Sequence, residues 1–283
     1  MQKLVDAPPH WRVIDFISDL HLSPTEPDTL ALWQRYLTQT RADALFILGD
    51  LLEVWIGDDA LDAPSLAQTP AQNGLADSFE LQCLASLKQV AQRLPVYCLH
   101  GNRDFLLGAQ FASRAGITLL HDPCVLALGQ LRFLLSHGDE LCTGDLPYQA
   151  FRKEIRSAVW QQQFLARPLP ERRAIARQLR AQSEAQKKPG MVYADVNTTA
   201  ALLWLQQHQC TDLIHGHTHR PGSVPLVSKP PKQRAGSDPK QHLRHVLSDW
   251  DASASPARAE VFRLTQAPGD AGFEASRLGP ALA

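Results

Sequence analysis

No apolar run in this sequence approaches the roughly 20 residues that a membrane-spanning helix needs. The start of the chain also lacks the basic-then-apolar order of a secretory signal, so a cytoplasmic protein is expected. No C-x-x-C pair occurs among the five cysteines, Cys83, Cys98, Cys124, Cys142 and Cys210. Scattered and odd in number, they read as reduced, buried thiols rather than a disulfide framework, and Cys142 reads as a packing residue despite lying near a polar cluster. Neither sign of charge prevails: Lys+Arg 28 against Asp+Glu 29 leave a net charge of -1, which gives no overall attraction to nucleic acid. There is no internal repeat. With 283 residues and 44% hydrophobic content, the chain can bury a full core as one large domain or one domain carrying an insertion, which excludes a disordered or fibrous protein.

What the chain does have is a set of short polar clusters, each closing an apolar, β-rich run. Ser18-Asp19-Leu20-His21 follows Val13 to Ile17, and Gly49-Asp50 follows Ala44 to Leu48. His100-Gly101-Asn102-Arg103-Asp104 follows Val96 to Leu99, and Ser136-His137-Gly138-Asp139 follows Leu131 to Leu135. His215-Gly216-His217-Thr218-His219 closes the set after Leu213 and Ile214. Each cluster is therefore expected where a strand gives way to a loop, the place where open sheets present ligand sites. In Asp19-x-His21 and His217-x-His219 the paired ligands sit one residue apart, and on an extended segment such side chains point the same way.

Carboxylate oxygens, an amide oxygen and imidazole nitrogens suit a pair of first-row divalent metals poised for hydrolysis. Asp50 is the expected bridge, one oxygen to each of two cations about 3.5 to 4 Å apart. Asp19, His21 and His219 are assigned to the first metal, and Asn102, His137 and His217 to the second. A water bridging the pair loses a proton near neutral pH and supplies the nucleophile. The absence of thiolate favours manganese or iron, although zinc also binds such donors strongly. Singly, each ligand has a plainer explanation: a helix cap for Asp19 or Asp50, a left-handed turn for Asn102, a structural role for a lone histidine. In order and each after a strand, they point to a two-metal phosphoesterase. His100 and His215 are candidates to orient the ligands, while His10, His121, His208, His242 and His245 read as surface or core residues.

Between the clusters the pattern becomes helical. Asp28 to Gln39 sets Leu30, Trp33 and Leu37 on one face, and Phe79 to Arg93 sets Leu84, Leu87 and Ala91 on one face. This alternation predicts an α/β fold. Gly129-Gln130 between Cys124 to Leu128 and Leu131 to Leu135 predicts a hairpin, hence a mixed sheet or two packed sheets. Asp58 to Asp77 and Pro221 to Gln241 read as surface loops, and residues 266–283 as a flexible tail with little to pack.

From Gly144 to Pro189 a long helical pattern replaces the alternation. One segment carries Phe151, Ile155, Val159, Trp160, Phe164 and Leu165, and a second helix runs from about Glu171 to Gln186. Residues 1–143 and 190–265 are thus the core, and 144–189 an insertion. The insertion is basic, with Arg152, Lys153, Arg156, Arg167, Arg172, Arg173, Arg177, Arg180, Lys187 and Lys188 against Asp145, Glu154, Glu171 and Glu184. A basic, apolar helical segment suits an anionic amphiphile or an anionic membrane surface. Equally, it reads as a solvated helical hairpin whose apolar side covers the core.

The clusters, in this order from Val13 to Pro221, resemble the calcineurin-like metallophosphoesterase superfamily, which implies an αββα sandwich, here with the helical insertion as a cap. The family pattern has Gly-Asn-His-Asp or Gly-Asn-His-Glu in the third cluster, and Arg103 stands here in place of that histidine. A guanidinium cannot donate a proton at neutral pH and instead clamps phosphate oxygens, which points to a phosphate leaving group and pyrophosphate cleavage. The longer strings ILGDLLEVWIGDD (Ile47 to Asp59), HGNRDFLL (His100 to Leu107), HGDELCTGDLPYQAF (His137 to Phe151), ADVN (Ala194 to Asn197) and IHGHTHRP (Ile214 to Pro221) resemble the UDP-2,3-diacylglucosamine hydrolase family of bacterial lipid A biosynthesis. That resemblance implies a peripheral enzyme of the cytoplasmic face of the inner membrane, using two Mn2+ ions per chain to release UMP and 2,3-diacylglucosamine 1-phosphate, with the acyl chains sheltered by the insertion. It also implies substrate contacts from Asn102, Arg103, Asp145, Ser183 and His217. Gln186 is nearest a family asparagine, and Lys187 or Lys188 nearest a family lysine. Asp50, Arg103 and His217 are the expected catalytic residues.

Two other classes compete with this one. A nuclease or soluble nucleotide phosphodiesterase keeps the metals but changes the substrate, and a nuclease should show a broad basic track with interleaved aromatics. Here the positive charge is concentrated in the insertion. A metal-free binding scaffold should have lost ligands, and this chain retains the whole set. Nothing points to nucleic acid or to an obligate protein partner.

Overall fold

The structure, a computed structural model, describes residues 1–62, 79–186, 194–227, 242–270 and 272–279, the side chains of 182–186 excepted. In chain order the first half holds β1 (Gln2–Asp6), β2 (Val13–Ile17), α1 (Pro27–Gln39), β3 (Ala44–Leu48), α2 (Phe79–Ala91), β4 (Val96–Leu99), α3 (Ala109–Ala115), β5 (Thr118–Leu128) and β6 (Leu131–Ser136). The insertion contributes α4 (Leu146–Ile155), α5 (Ala158–Leu165) and α6 (Leu169–Gln186). Then come α7 (Thr198–His208), β7 (Asp212–His215), β8 (Gly222–Leu226), β9 (His242–Val246), β10 (Val261–Gln266) and β11 (Phe273–Leu278).

Strands run in the order β11-β10-β2-β3-β4-β5-β6-β7-β9-β8, with β1 beside β5. β2, β3 and β4 are parallel, as are β6, β7 and β9. The expected hairpin is present as the antiparallel pair β5–β6. β5 belongs to two sheets: Thr118 and Leu119 pair with β4, and Cys124 to Leu128 pair with β6.

Strand periodicity assembles the layers. Every residue of β3 is buried, and successive side chains go to opposite faces. Leu45 and Ile47 join a cluster with Trp33, Leu87 and Phe111 of α1, α2 and α3. Phe46 and Leu48 join Phe16, Leu126, Phe133, Leu135 and Ile214, the layer between the two sheets. On the far side, Val125, Leu134 and Leu213 meet Ala201 and Leu205 of α7. The result is helices, sheet, sheet, helix, as the αββα expectation requires. All five cysteines are free and buried, and Cys142 packs in the outer cluster.

Three expectations need correction. Within the tail after Gln266, residues Phe273–Leu278 do pack: β11 pairs antiparallel with β10 from Val261↔Leu278 to Gln266↔Phe273, and Arg277 donates to the carbonyls of Gly222 and Val246 at 2.8 and 3.0 Å, while 280–283 lie outside the described residues. Backbone pairing carries most of that attachment, and it leaves little apolar signature. Within Pro221 to Gln241, residues Gly222–Leu226 form strand β8 against β9 rather than a loop, and 228–241 lie outside the described residues. The single long segment of the insertion is two helices, because the Ser157 side chain accepts from Trp160 N and starts α5 anew.

Candidate metal centre

All five clusters open from the C-terminal ends of β2, β3, β4, β6 and β7, at one edge of the sandwich. The loops are not extended, as the one-residue spacing suggested. Asp19, His21, Asp50, His217 and His219 have φ of 54°, 48°, 51°, 66° and 51°, a left-handed conformation that costs a residue with a side chain about 1–3 kcal/mol and persists only when its surroundings over-determine it. They do so here. Asp19 N donates to Gly49 O (3.1 Å), His21 N to Asp50 O (2.9 Å), Gly216 N to His137 O (3.0 Å) and Trp250 N to Asp19 O (3.0 Å). His217 N donates to Asp19 Oδ2 (2.9 Å), tying the last cluster to the first. The loops pass so closely that a Cβ on Gly101 would collide with Asp50, and one on Gly216 with Ser18 and Asp19.

The structure brings all the expected ligands together. Around Asp19, the His219 Nε2 lies 3.1 Å and the His21 Nε2 3.9 Å from Oδ1, and the two imidazole nitrogens are 3.5 Å apart. Asn102 Oδ1 lies 2.9 Å from His137 Nε2 and 3.0 Å from His217 Nδ1. Asp50 stands between these groups, but through one oxygen rather than two: Oδ2 is 3.7 Å from His21 Nε2 and 3.8 Å from His137 Nε2, while Oδ1 accepts from Arg103 N at 2.8 Å. Asp19 is closer to the second group than its assignment to the first metal anticipates, since it also clusters with Asp50 and His137.

The donor set fits divalent cations. His137 Nδ1 faces the Leu48 carbonyl at 2.9 Å and must donate to it, so the neutral ring turns a lone pair toward Asn102 Oδ1 and Asp50 Oδ2. At His21 and His219 a carboxylate faces the same side of the ring, Glu53 Oε2 2.9 Å from His21 Nδ1 and Asp249 Oδ2 3.7 Å from His219 Nδ1, as ion-pair contacts rather than the hydrogen bond that His137 makes. Lone pairs aimed at one another need a positive charge between them, and outward acceptors that fix the ring tautomer are what metal-ligating histidines have.

Protons partly fill that need when no cation does. Burial disfavours charge on His137, yet Asp50, Asp19 and Asp139 raise it to about 9. His21 rises to about 8 against the same burial, through Glu53, Asp50 and Asp19. Burial likewise opposes charge on Asp19, but His219, His137 and His21 hold it well below the usual carboxylate range. His217, buried beside His137, is lowered to about 4 and stays neutral.

Several residues around the ligands escaped the sequence reading. Asp104, fully buried, accepts from Gly101 N (2.8 Å) with one oxygen and from Leu51 N (2.8 Å) with the other, joining the Asp50 and Asn102 loops. Asp139, also fully buried, accepts from the Tyr148 hydroxyl (2.6 Å) and Arg152 Nε (2.8 Å), and the Tyr148 ring stacks on His217 with centroids 5.9 Å apart. Both aspartates stand in the quoted strings, Asp104 directly after Arg103 and Asp139 two residues after His137, and only their burial and hydrogen bonds reveal their task. Glu53 adjoins His21 and Arg103, with a pKa that burial raises and His21, Arg103 and Arg180 bring down below the usual value.

The insertion docks through its arginines. Arg156 Nη2 donates to Gly101 O (2.8 Å), and Arg172, 2% exposed, donates to Ile56 O (2.6 Å) and pairs with Asp59. Charge that the sequence offers to a membrane is thus partly turned inward. Arg103 places its backbone on Asp50 and its Nη1 3.7 Å from Glu53. The Asp145 side chain accepts from Tyr148 N (3.1 Å) and caps α4. Ser183 and Gln186 lie in α6 with side chains outside the description, and Lys187 and Lys188 lie outside the described residues. His100 turns away, its Nε2 2.7 Å from Leu107 O, and His215 is buried with its Nδ1 2.8 Å from Gly216 O.

Comparison with known proteins agrees with this edge. Residues 12–221 match the calcineurin-like phosphoesterase family, whose members work with a divalent dinuclear centre. A protein of Chromobacterium violaceum named UDP-2,3-diacylglucosamine hydrolase is 47% identical over 217 residues, covering 74% of this chain and 83% of that protein. Relatives of the same name from Aeromonas hydrophila (46% identical, 83% and 89% covered) and Escherichia coli (43% identical, 85% and 92% covered) extend through the insertion. Five strand-end clusters on an αββα sandwich, and identity at this level over most of the chain, place it in the calcineurin-like phosphoesterases and, among them, in the UDP-2,3-diacylglucosamine hydrolase family.

Proposed function

We propose that this chain hydrolyses the diphosphate of UDP-2,3-diacylglucosamine to UMP and 2,3-diacylglucosamine 1-phosphate, with two Mn2+ ions held by Asp19, His21, Asp50 and His219 on one side and Asp50, Asn102, His137 and His217 on the other. The observation that carries the reading is the placement of Asp50 Oδ2 between His21 and His137 while Arg103 N holds Oδ1. It makes one carboxylate the centre of both donor groups, and the Arg103 guanidinium lies 3.7 Å from Glu53, the acid that faces His21. Bound divalent cations neutralise phosphate charge and make water nucleophilic at neutral pH. The chain's own residues do the rest. Asn102 and His217 line the phosphate side, and Arg103 stabilises the charge that grows on the departing sugar phosphate, which needs no proton.

Asp145, Ser183, Gln186 and Lys188 are the proposed insertion contacts to substrate. Leu146 (73% exposed), Phe151 (38%), Val159 (66%) and Leu165 (41%) open an apolar surface on the insertion, with exposed Lys153, Arg167 and Arg177 nearby in sequence. That combination supports acyl-chain binding and peripheral attachment to the anionic cytoplasmic face of the inner membrane. Among the described residues no helix is long and apolar enough to cross a membrane.

The test is hydrolysis of diacylated UDP-glucosamine beside its deacylated analogue, by metal-stripped protein restored with Mn2+, in oxygen-18 water. The expected result is Mn2+-dependent turnover of the diacylated substrate, with label in UMP alone. Equal turnover of the two substrates overturns the lipid reading, and label in the sugar phosphate overturns the direction of attack.

A further inference from the structure

Glu53 belongs to the string that follows the Asp50 cluster, and its carboxylate reaches beyond His21 to Arg103. Its backbone N donates to Leu22 O at 3.0 Å, in a short parallel pairing of the loops that also joins Leu22 to Leu52. This fixes its side chain, 13% exposed, against His21. Oε2 lies 2.9 Å from His21 Nδ1, a close ion-pair contact off the line of a hydrogen bond, while Nε2 of the same ring faces Asp50 and Asp19. Oε1 lies 3.7 Å from Arg103 Nη1 and 3.4 Å from Arg180 Nη1 of α6. Arg103 Nε is buried without a partner, so the Glu53 carboxylate is the acid its guanidinium faces among the described residues.

We propose that Glu53 is a positioning residue that couples the first metal position to Arg103. One oxygen keeps the proton on His21 Nδ1, so that Nε2 presents its lone pair to the metal. The other holds the Arg103 guanidinium beside the reacting phosphates and separates it from the like charge of Arg180. The inference rests on the proposed two-metal reading and adds a residue to it.

The test titrates metal-stripped, full-length protein with Mn2+ by calorimetry, and measures kcat and KM for the diacylated substrate at saturating Mn2+. In Glu53→Ala, the affinity of one Mn2+ should fall about 10–100-fold, the effect of removing a carboxylate behind a ligating histidine, while the other stays within about threefold. At saturating Mn2+ a loss of kcat of about tenfold should persist, since Arg103 is no longer held where charge develops. Glu53→Gln separates the two roles. Its amide oxygen can still accept from His21 Nδ1 and should restore Mn2+ affinity, but without a charge for Arg103 its kcat should stay low.

Glu53→Ala or Glu53→Gln protein that is less heat-stable, yet keeps both Mn2+ affinities and the saturated kcat within about twofold, would show a merely structural ion pair and overturn the proposal. Should the alanine variant fail to fold, the glutamine variant decides alone, wild-type kcat overturning the coupling to Arg103. Wild-type protein that binds fewer than two Mn2+ ions or leaves the substrate intact overturns the two-metal reading itself, and this proposal with it.

Discussion

In the loops at the strand ends, Asp19, His21 and His217 are each held by backbone hydrogen bonds to another cluster, and Asp50, Asp104 and Asp139 are at most 1% exposed. In the insertion, by contrast, Ile155, Phe164 and Arg172 are the buried anchors among the described side chains, while Leu146, Phe151, Val159 and Leu165 face outward. One region is tied together loop to loop, by backbone N–H groups that donate across the clusters. The other is attached at a few points, through Arg152, Arg156, Arg172 and Arg180, and keeps its apolar surface for something else. A site that must hold two like-charged ions needs donors fixed before binding. A surface that receives acyl chains needs exposed apolar area.

The sharpest way to break this contrast is Asp50→Ala. Removing the shared carboxylate should abolish turnover, a loss of about a thousandfold or more, and empty or scramble both metal positions, because two dications would face each other with one compensating charge fewer. Elemental analysis beside activity checks it, and two tightly bound metals with substantial activity would refute the assignment. His217→Ala should weaken mainly the second position. Next in size, Arg103→Ala should lower kcat about 100–1,000-fold with metal content unchanged, separating charge stabilisation from metal binding.

Arg172→Ala tests the attachment of the insertion. It leaves the Ile56 carbonyl without its donor and vacates a buried volume, while the exposed Asp59 returns to water, so it should destabilise the protein by about 1–3 kcal/mol in thermal or denaturant unfolding. His245 supplies a pH readout from the sheet beneath both regions. Burial and nearby Arg277 lower it from 6.5 to about 4. Between those values the unfolded chain binds a proton that the folded chain refuses, so stability should fall as pH drops from about 6.5 toward 4 and level off below, a change on the order of 3 kcal/mol. His245→Phe should flatten that slope. The smallest effect belongs to the exposed cations: Lys153→Ala or Arg177→Ala should each cost about 1 kcal/mol of binding to anionic vesicles, measured by co-sedimentation, and leave unfolding unchanged.

The sequence by itself determined the strand-loop alternation and which polar clusters stand at the strand ends, and its family resemblance implied the layers. The first two are written in local pattern: a continuous apolar, β-rich run from Ala44 to Leu48, a period near 3.6 through Leu30, Trp33 and Leu37, and a polar cluster where each apolar run ends. It did not determine how the ligands converge. The left-handed turns at Asp19, His21, Asp50, His217 and His219 come from hydrogen bonds between clusters as many as 198 residues apart, and the turning of Asp50 Oδ2 alone toward His21 and His137 follows from an N–H on the Arg103 loop that takes Oδ1. Strand β11 was equally hidden, because its ladder is made of backbone that any sequence carries. The tertiary structure also decided which arginines of the insertion turn inward. A guanidinium reads the same in sequence whether water or Asp59 receives it, and only the packing of α6 against the loop at Ile56 removes Arg172 from solvent.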